Sequence, residues 1–135
     1  MSHLTTYKNN SLLNTKREML EASLKELGIE LDFKNNTIKN TWINEKVDAA
    51  MIYQGKRIAV GLNFVTNEAG DEEVVVAGDF WGTGLNQADL TNQIAQTYQK
   101  NNIIDKCRSQ RWFVEDSAVT TKENGDIVIQ AYRYA

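Results

Sequence analysis

The first apolar pattern along the chain predicts a helix from about Leu12 to Leu27. Leucines recur at helical spacing on one face, and most of the intervening charges lie outside it: Leu13, Leu20, Leu24 and Leu27. Gly28 follows directly, and glycine readily adopts the left-handed conformation that ends a helix. We expect the start to be capped by Ser11, or by a capping box of Thr15 and Glu18.

A series of short apolar runs separated by turn residues comes next. In the first run Ile29, Leu31 and Phe33 alternate with acidic residues, which predicts a strand with one apolar and one acidic face. Further strands are predicted for a run containing Ile38 and Trp42, and for residues 47–53, 57–65 and 72–81. Because turn residues separate these runs, an antiparallel meander is favoured over parallel crossovers.

A second helical pattern starts near Asn86, with Asp89 in its first turn. Its predicted core face carries Leu90, Ile94 and Tyr98, and we expect Asn101-Asn102 to break or kink the helix. Two final strands, residues 113–121 and 127–134, are then predicted to form a hairpin around Asn124-Gly125.

With a short β-prone run at residues 3–7, the predicted order is β-α-β-β-β-β-β-α-β-β. We predict one α+β domain spanning residues 1–135, in which both helices pack on one face of a largely antiparallel sheet. A hydrophobic content of 41% and a charged content of 24% are typical of a globular chain.

The chain shows neither a membrane-spanning pattern nor a secretory signal. No apolar run reaches the length of a membrane span, and the N-terminus lacks the pattern of a secretory signal. Cys107 is the only cysteine, which suits a reducing compartment, so we expect a cytoplasmic or plastid-stromal protein without membrane contacts.

A net charge of −3 argues against binding to a nucleic-acid backbone. One local exception is a basic cluster near the end of the second predicted helix: Lys100, Lys106, Arg108 and Arg111. Cations are also favourable at a helix C-terminus, so this cluster is a candidate basic patch with a structural explanation.

The side chains that usually carry catalysis are few. One histidine and one cysteine exclude any site that needs two of either from a single chain. The glycines of Gly82-Thr83-Gly84 lack the lysine of a phosphate-binding loop. The sequence therefore predicts no catalytic residue, no metal site and no cofactor.

The candidate site is Asp79, followed by Phe80 and Trp81 between an apolar strand and a glycine turn. This carboxylate could bond the amides of the turn, pair with a cation such as Arg57 or Arg133, or serve as an acid. If it were buried without a partner its pKa would rise, which would favour the last interpretation.

His3 is the remaining candidate. It could anchor the first strand, or join Asp79 and Trp81 around a pocket if these residues converge in space.

Four segments carry a family resemblance: residues 1–6, the helix end at residues 24–28, residues 77–82, and Gln96-x-Tyr98. On these the chain resembles the uncharacterised family first catalogued as a hypothetical chloroplast reading frame, found in algal plastids, cyanobacteria and other bacteria. The resemblance implies an architecture and a compartment, directs attention to His3 and Asp79, and supplies no mechanism.

These observations favour a small non-enzymatic binding or accessory protein that acts through protein–protein contacts, with another protein or a second copy of itself. One alternative is a small-molecule-binding or weakly catalytic domain around Asp79, Trp81 and His3. Another is nucleic-acid binding through the basic cluster at residues 100–111.

Overall fold

The computed structural model describes residues 2–7, 12–109, 112–113, 119–122 and 126–133, and within them two helices and ten strands. In chain order the elements are β1 (Ser2–Tyr7), α1 (Arg17–Glu26), β2 (Ile29–Asp32), β3 (Thr37–Lys39), β4 (Asn44–Lys46), β5 (Ala49–Tyr53), β6 (Lys56–Thr66), β7 (Glu72–Gly78), α2 (Gln87–Ser109), β8 (Trp112–Phe113), β9 (Val119–Thr121) and β10 (Ile127–Arg133). The predicted α+β class is confirmed.

Every strand pair of the described residues is antiparallel, as predicted. The strands form three sheets: a central sheet in the order β2-β5-β6-β7, a second sheet in which β10 pairs with β1, β8 and β9, and the two-stranded β3-β4. β9 and β10 pair as the predicted C-terminal hairpin requires, and its turn, Asn124-Gly125, lies outside the described residues.

The prediction of one strand through Ile38 and Trp42 is wrong. The chain turns between β3 and β4, because the side-chain Oδ1 of Asn40 accepts hydrogen bonds from the backbone N–H groups of Trp42 and Ile43, at 2.8 and 2.9 Å. An asparagine that bonds amides two and three residues ahead favours a turn over a continuous strand.

Both helices pack on the same face of the central sheet. One continuous apolar core joins Leu20 and Leu24 of α1 with Leu90 and Ile94 of α2, and the sheet contributes Ile29, Met51, Val60, Leu62, Val74 and Val76. Burying each of the larger side chains stabilises the fold by roughly 1.5–3 kcal/mol. The predicted placement of the helices is therefore confirmed.

The hairpin β3-β4 covers part of the opposite face. Ile38 and Val47 are buried there with Ala50, and Ile43 packs against them. Gly61 of β6 permits this close approach, since a Cβ at that position would lie 2.7 Å from Cγ2 of Val47 and would overlap the carbonyl oxygen of Ala49.

Helix α1 starts later than the leucine pattern predicts. Residues 12–14 run along the outer edge of β7 instead: Leu12 accepts from the N–H of Val74 at 3.0 Å, and Asn14 donates to the carbonyl of Glu72 at 2.7 Å. Leu13 is consequently 41% exposed rather than part of a buried helix face.

The predicted caps of α1 are only half correct. The capping box is wrong, because the N-cap is Lys16 and the buried Oγ1 of Thr15 has no hydrogen-bond partner among the described residues. Ser11 lies outside the described residues. Gly28 does end the helix, at φ +78°, as predicted.

Helix α2 begins as predicted but continues without a break. Asn86 caps it, since its Oδ1 accepts from the amides of Ala88 and Asp89 at 2.9 and 3.2 Å. The expected break at Asn101 is wrong. The side chain of Asn101 bonds between the helices instead: it donates to Oγ of the buried Ser23 at 3.0 Å and to the carboxylate of Glu26.

The hydroxyl of Tyr98 in α2 also reaches α1, where it accepts a hydrogen bond from the backbone N–H of Lys16 at 2.9 Å. Neither helix of the described residues combines the length and the hydropathy that crossing a bilayer requires.

Candidate functional site

Asp79 stands where strand β7 leaves the central sheet. Gly78, at φ +131°, precedes it, and a Cβ at Gly78 would overlap the backbone of Ala59 and Val60. The close approach lets the N–H of Asp79 donate to the carbonyl of Ala59 at 2.8 Å. The end of β7 is thereby held against β6, which fixes the position from which the next turn starts.

Each oxygen of the Asp79 carboxylate accepts one structural hydrogen bond. Its Oδ2 accepts from the side-chain amide of Asn40 at 2.9 Å, and its Oδ1 accepts from the backbone N–H of Trp81 at 3.0 Å. These two bonds, the one from Asn40 first, lower the pKa of Asp79 below its ordinary 3.8. The group is ionised at neutral pH, which is the opposite of what a general acid requires.

Arg57, the first cation considered for Asp79, does not pair with it. Arg57 bonds instead to Oδ2 of Asp32 at 2.7 Å and to the carbonyl of Asn35 at 2.8 and 3.1 Å. The amide of Asn35, followed by that of Lys34 and the guanidinium of Arg57, lowers the pKa of Asp32. The side chain of Arg133 lies outside the described part of the structure.

Asn40 and Asp79 together connect two turns that each present a tryptophan. Asn40 holds the turn at residues 40–43, in which Trp42 is 74% exposed. Asp79 holds the start of the turn at residues 80–83, in which Trp81 is 80% exposed. We call these the tryptophan turns; the bond between Asn40 and Asp79 makes them one hydrogen-bonded unit.

Phe80 and Trp81 point in different directions although they are neighbours. Phe80 is half-buried and packs against the main core. Its carbonyl accepts from the N–H of Thr83 at 3.1 Å and from the hydroxyl of Thr83 at 2.6 Å, which closes the turn. One aromatic ring therefore anchors the turn while the next is presented to solvent.

A solvent-open cleft of about 440 Å³ lies beside this unit. We call it the Trp81 cleft; its lining includes Lys39, Tyr53, Lys56, Arg57, Asp79 and Trp81. A second hollow of about 450 Å³ shares Lys39 and Arg57 with it. Of the described residues, three cations and one carboxylate line the cleft, in a chain whose net charge is −3.

The positive charges of the cleft that have no ion-pair partner among the described residues are those of its two lysines. Both Lys39 and Lys56 are exposed, and neither makes an ion pair with another described residue. Arg57 is held by Asp32 and Asn35, so its guanidinium is fixed at the junction of the two hollows.

The other predicted site residues lie elsewhere or outside the description. His3 belongs to β1, opposite Ala131 of β10, and its side chain lies outside the described part of the structure. In the basic cluster, Nζ of Lys100 lies 3.5 Å from Oε1 of Glu26. Lys106 and Arg108 are in the last turn of α2, and Arg111 lies outside the described residues.

Nucleophilic and metal chemistry find little support in the described side chains. Partial burial raises the pKa of the Cys107 thiol, which keeps it protonated at neutral pH. Within the described ranges there is no group of three or more His, Cys, Asp or Glu side chains that could hold a metal ion.

Sequence reasoning missed Asn40, as it also missed Lys39, Trp42 and Lys56. A local signal was present, because an asparagine two residues before a bulky side chain, between two short apolar runs, is typical of a side-chain-stabilised turn. The sequence alone gave no signal for its bond to Asp79, since 39 residues separate the two.

Comparison with known proteins identifies a family for this chain. No curated protein matches the chain, and no solved structure matches it. A family model described as "Protein of unknown function (DUF1257)" matches residues 23–129, a range that contains both tryptophan turns and the Trp81 cleft. The chain therefore belongs to this family of unknown function.

Proposed function

We propose that this protein is a non-enzymatic binding or accessory protein, and that the two tryptophan turns form its contact surface. The observation that carries the proposal is the exposure of Trp42 and Trp81 on turns joined through Asn40 and Asp79. They are two of the three tryptophans in the chain, and the most exposed large hydrophobic residues among those described.

Exposed indoles on a fixed backbone suit protein recognition. Tryptophan is enriched among the residues that dominate interface energies, and a large exposed apolar side chain gains free energy when a partner covers it. Covering the exposed part of one indole stabilises a complex by roughly 3–4 kcal/mol before the costs of association. Because hydrogen bonds already order both turns, little further backbone entropy is lost on binding.

The outer edge of β7 is a less suitable surface, because the chain itself covers it. Leu12 and Asn14 bond to Val74 and Glu72, and the side-chain amide of Gln87 donates to the carbonyl of Val76 at 2.8 Å. A strand edge whose polar groups are already paired does not template the addition of another strand.

Affinity purification with quantitative mass spectrometry tests this proposal. The tagged full-length chain is expressed in its own host beside W42A/W81A and a matched control, V65T, which changes another exposed apolar residue. We expect partners recovered with the wild type and V65T to be lost with W42A/W81A. Retention of the same partners by W42A/W81A, at an unchanged melting temperature, would contradict the proposal.

A second copy of the chain is one possible partner, and light scattering distinguishes it. If the partner is another copy, the mass doubles as the concentration rises, and W42A/W81A remains a monomer. A wild-type monomer over a wide concentration range assigns the surface to a different protein.

A small-molecule site in the Trp81 cleft is the second candidate function. Its volume, about 440 Å³, falls within the range of ligand sites. Ligand screening by thermal shift, with W81A and V65T as the variant pair, tests it; stabilisation of wild type and V65T but not W81A supports it.

We do not extend the proposal to nucleic acids. In the basic cluster Glu26 engages Lys100, and the hollow beside Arg108 also contains Glu18 and Asp105.

We also propose a cytoplasmic or plastid-stromal location. The resemblance to the chloroplast-reading-frame family and the single cysteine support it. Cell fractionation with compartment markers tests this, and recovery of the protein in a secreted or membrane fraction would contradict it.

A further inference from the structure

We infer that the partner presents an acidic segment to the Trp81 cleft, with carboxylates at Lys39 and Lys56 and aliphatic side-chain stems against Trp81. This inference rests on the proposed function, because it identifies the chemistry of the segment that the tryptophan turns contact.

Charge complementarity is the first argument. Lys39 ends β3 and Lys56 begins β6, so two different elements each bring a lysine to one cleft. Among the described residues Asp79 is the only carboxylate that lines it, and that group is already bonded to Asn40 and to the amide of Trp81. The lysines are thus left to pair with carboxylates from outside.

The second argument concerns the shape of the ligand. Small-molecule sites are usually enclosed and mostly apolar, whereas this cleft is open and shares Lys39 and Arg57 with the neighbouring hollow. An extended polypeptide can follow such a surface and place successive carboxylates along it. Trp81 forms an apolar wall on which the methylene groups of glutamate side chains can pack.

A nucleic acid is the less favoured anion. Phosphate-backbone binding depends on surplus positive charge, and this chain carries a net −3. A base could nevertheless stack on an exposed indole, so an oligonucleotide belongs in the test.

Fluorescence anisotropy on the full chain provides that test. The probe is a fluorescein-labelled peptide of ten glutamates, compared with its ten-glutamine counterpart, with oligothymidine of ten nucleotides, and with citrate as an unlabelled competitor. The variant K39E/K56E reverses the charge of the cleft. The control K25E/K122E changes the net charge equally, at exposed lysines that do not line the cleft.

We expect the glutamate peptide to bind with a Kd below about 1 mM, more weakly as salt is raised, and the glutamine peptide not to bind. K39E/K56E weakens binding by about tenfold or more, while K25E/K122E changes it less than about threefold. The inference is overturned by equal losses in the two double variants, by no binding at 1 mM, by tighter binding of oligothymidine, or by citrate binding as tightly as the peptide.

The two proposals fail in different ways. If the cellular partner is lost with W42A/W81A but retained by K39E/K56E, the tryptophan surface stands and the acidic-segment inference fails. If W42A/W81A retains the partner, the proposed function itself fails.

Discussion

The side-chain amide of Asn40 donates a hydrogen bond to the carboxylate of Asp79 across 2.9 Å, and so joins the turn after β3 to the turn after β7. Each residue also stabilises its own turn through backbone amides, Asn40 at Trp42 and Ile43, and Asp79 at Trp81. A single contact therefore links the hairpin on one face of the central sheet to the end of that sheet's edge strand.

Breaking this contact should lower stability in a coupled way. We expect Asn40→Ala and Asp79→Ala each to lower the melting temperature by a few degrees, because each leaves turn amides without an acceptor. The double variant should lose less than the sum, since the bond between them is lost only once. Asn44→Ala, at an exposed position on the same hairpin, is the control. Strictly additive losses would contradict the coupling.

Acid should destabilise the protein through Asp32 and Asp79. Their pKa values are lowered from 3.8 in the folded chain, so the ionised carboxylates favour the native state. This stability is present above pH 3.8 and is lost as the pH falls through the lowered folded-state values. We expect the free energy of unfolding, measured with urea from pH 6 down to pH 2, to fall less steeply with decreasing pH for Asp79→Asn than for wild type. An unchanged slope would contradict this.

The contact between the helices should depend on Asn101. Its amide bonds Oγ of the buried Ser23 and the carboxylate of Glu26, so Asn101→Ala should cost about 1–2 kcal/mol in the free energy of unfolding. Asn102→Ala is a matched control, because it gives the same gain in helix propensity on the same helix. Urea denaturation measures both. A loss no larger for Asn101→Ala than for Asn102→Ala would show that the bonds contribute nothing.

Gly61 should tolerate no side chain. Its backbone conformation is ordinary, so the cost of Gly61→Ala comes from overlap with Val47 and with the carbonyl of Ala49. We expect a loss of about 1–3 kcal/mol in the free energy of unfolding, from separation of the hairpin β3-β4 from the sheet. In the double variant with Val47→Ala, the loss should be smaller than the sum of the single losses. If Gly61→Ala had the same free energy of unfolding as wild type, the hairpin would move to accommodate the methyl group without loss of stability, and the prediction would be wrong.

Local signals in the sequence were sufficient for several elements. Gly28 and Asn86 set helix ends that depend only on neighbouring backbone groups, and both are found where predicted. The leucine pattern wrongly placed Leu13 on the buried face of a helix. Periodicity does not show that this segment pairs with the edge of β7 at Glu73. The class of fold and the face that carries the helices follow from such local patterns.

Polar side chains that serve distant partners could not be predicted in the same way. Asn101 suggested a helix break, since asparagine competes for backbone bonds, but Ser23 and Glu26 occupy its amide. Asp79 and Trp81 were identified as a site, whereas the cleft also requires Lys39 and Lys56 from elements distant in the chain. Their proximity depends on the sheet register and on the hairpin that crosses it.

Tyr98 and Asn101 lie one helical turn apart on α2, yet they reach α1 at two separated points, the amide of Lys16 and the hydroxyl of Ser23. A single hydrogen bond would still allow the two helices to rotate about it, whereas two bonds at separate places restrain both rotation and sliding of one helix against the other. The two hydrogen bonds therefore fix how the helices lie against each other, and the amide at the N-cap of α1, which has no side-chain cap, has its hydrogen-bond acceptor on α2.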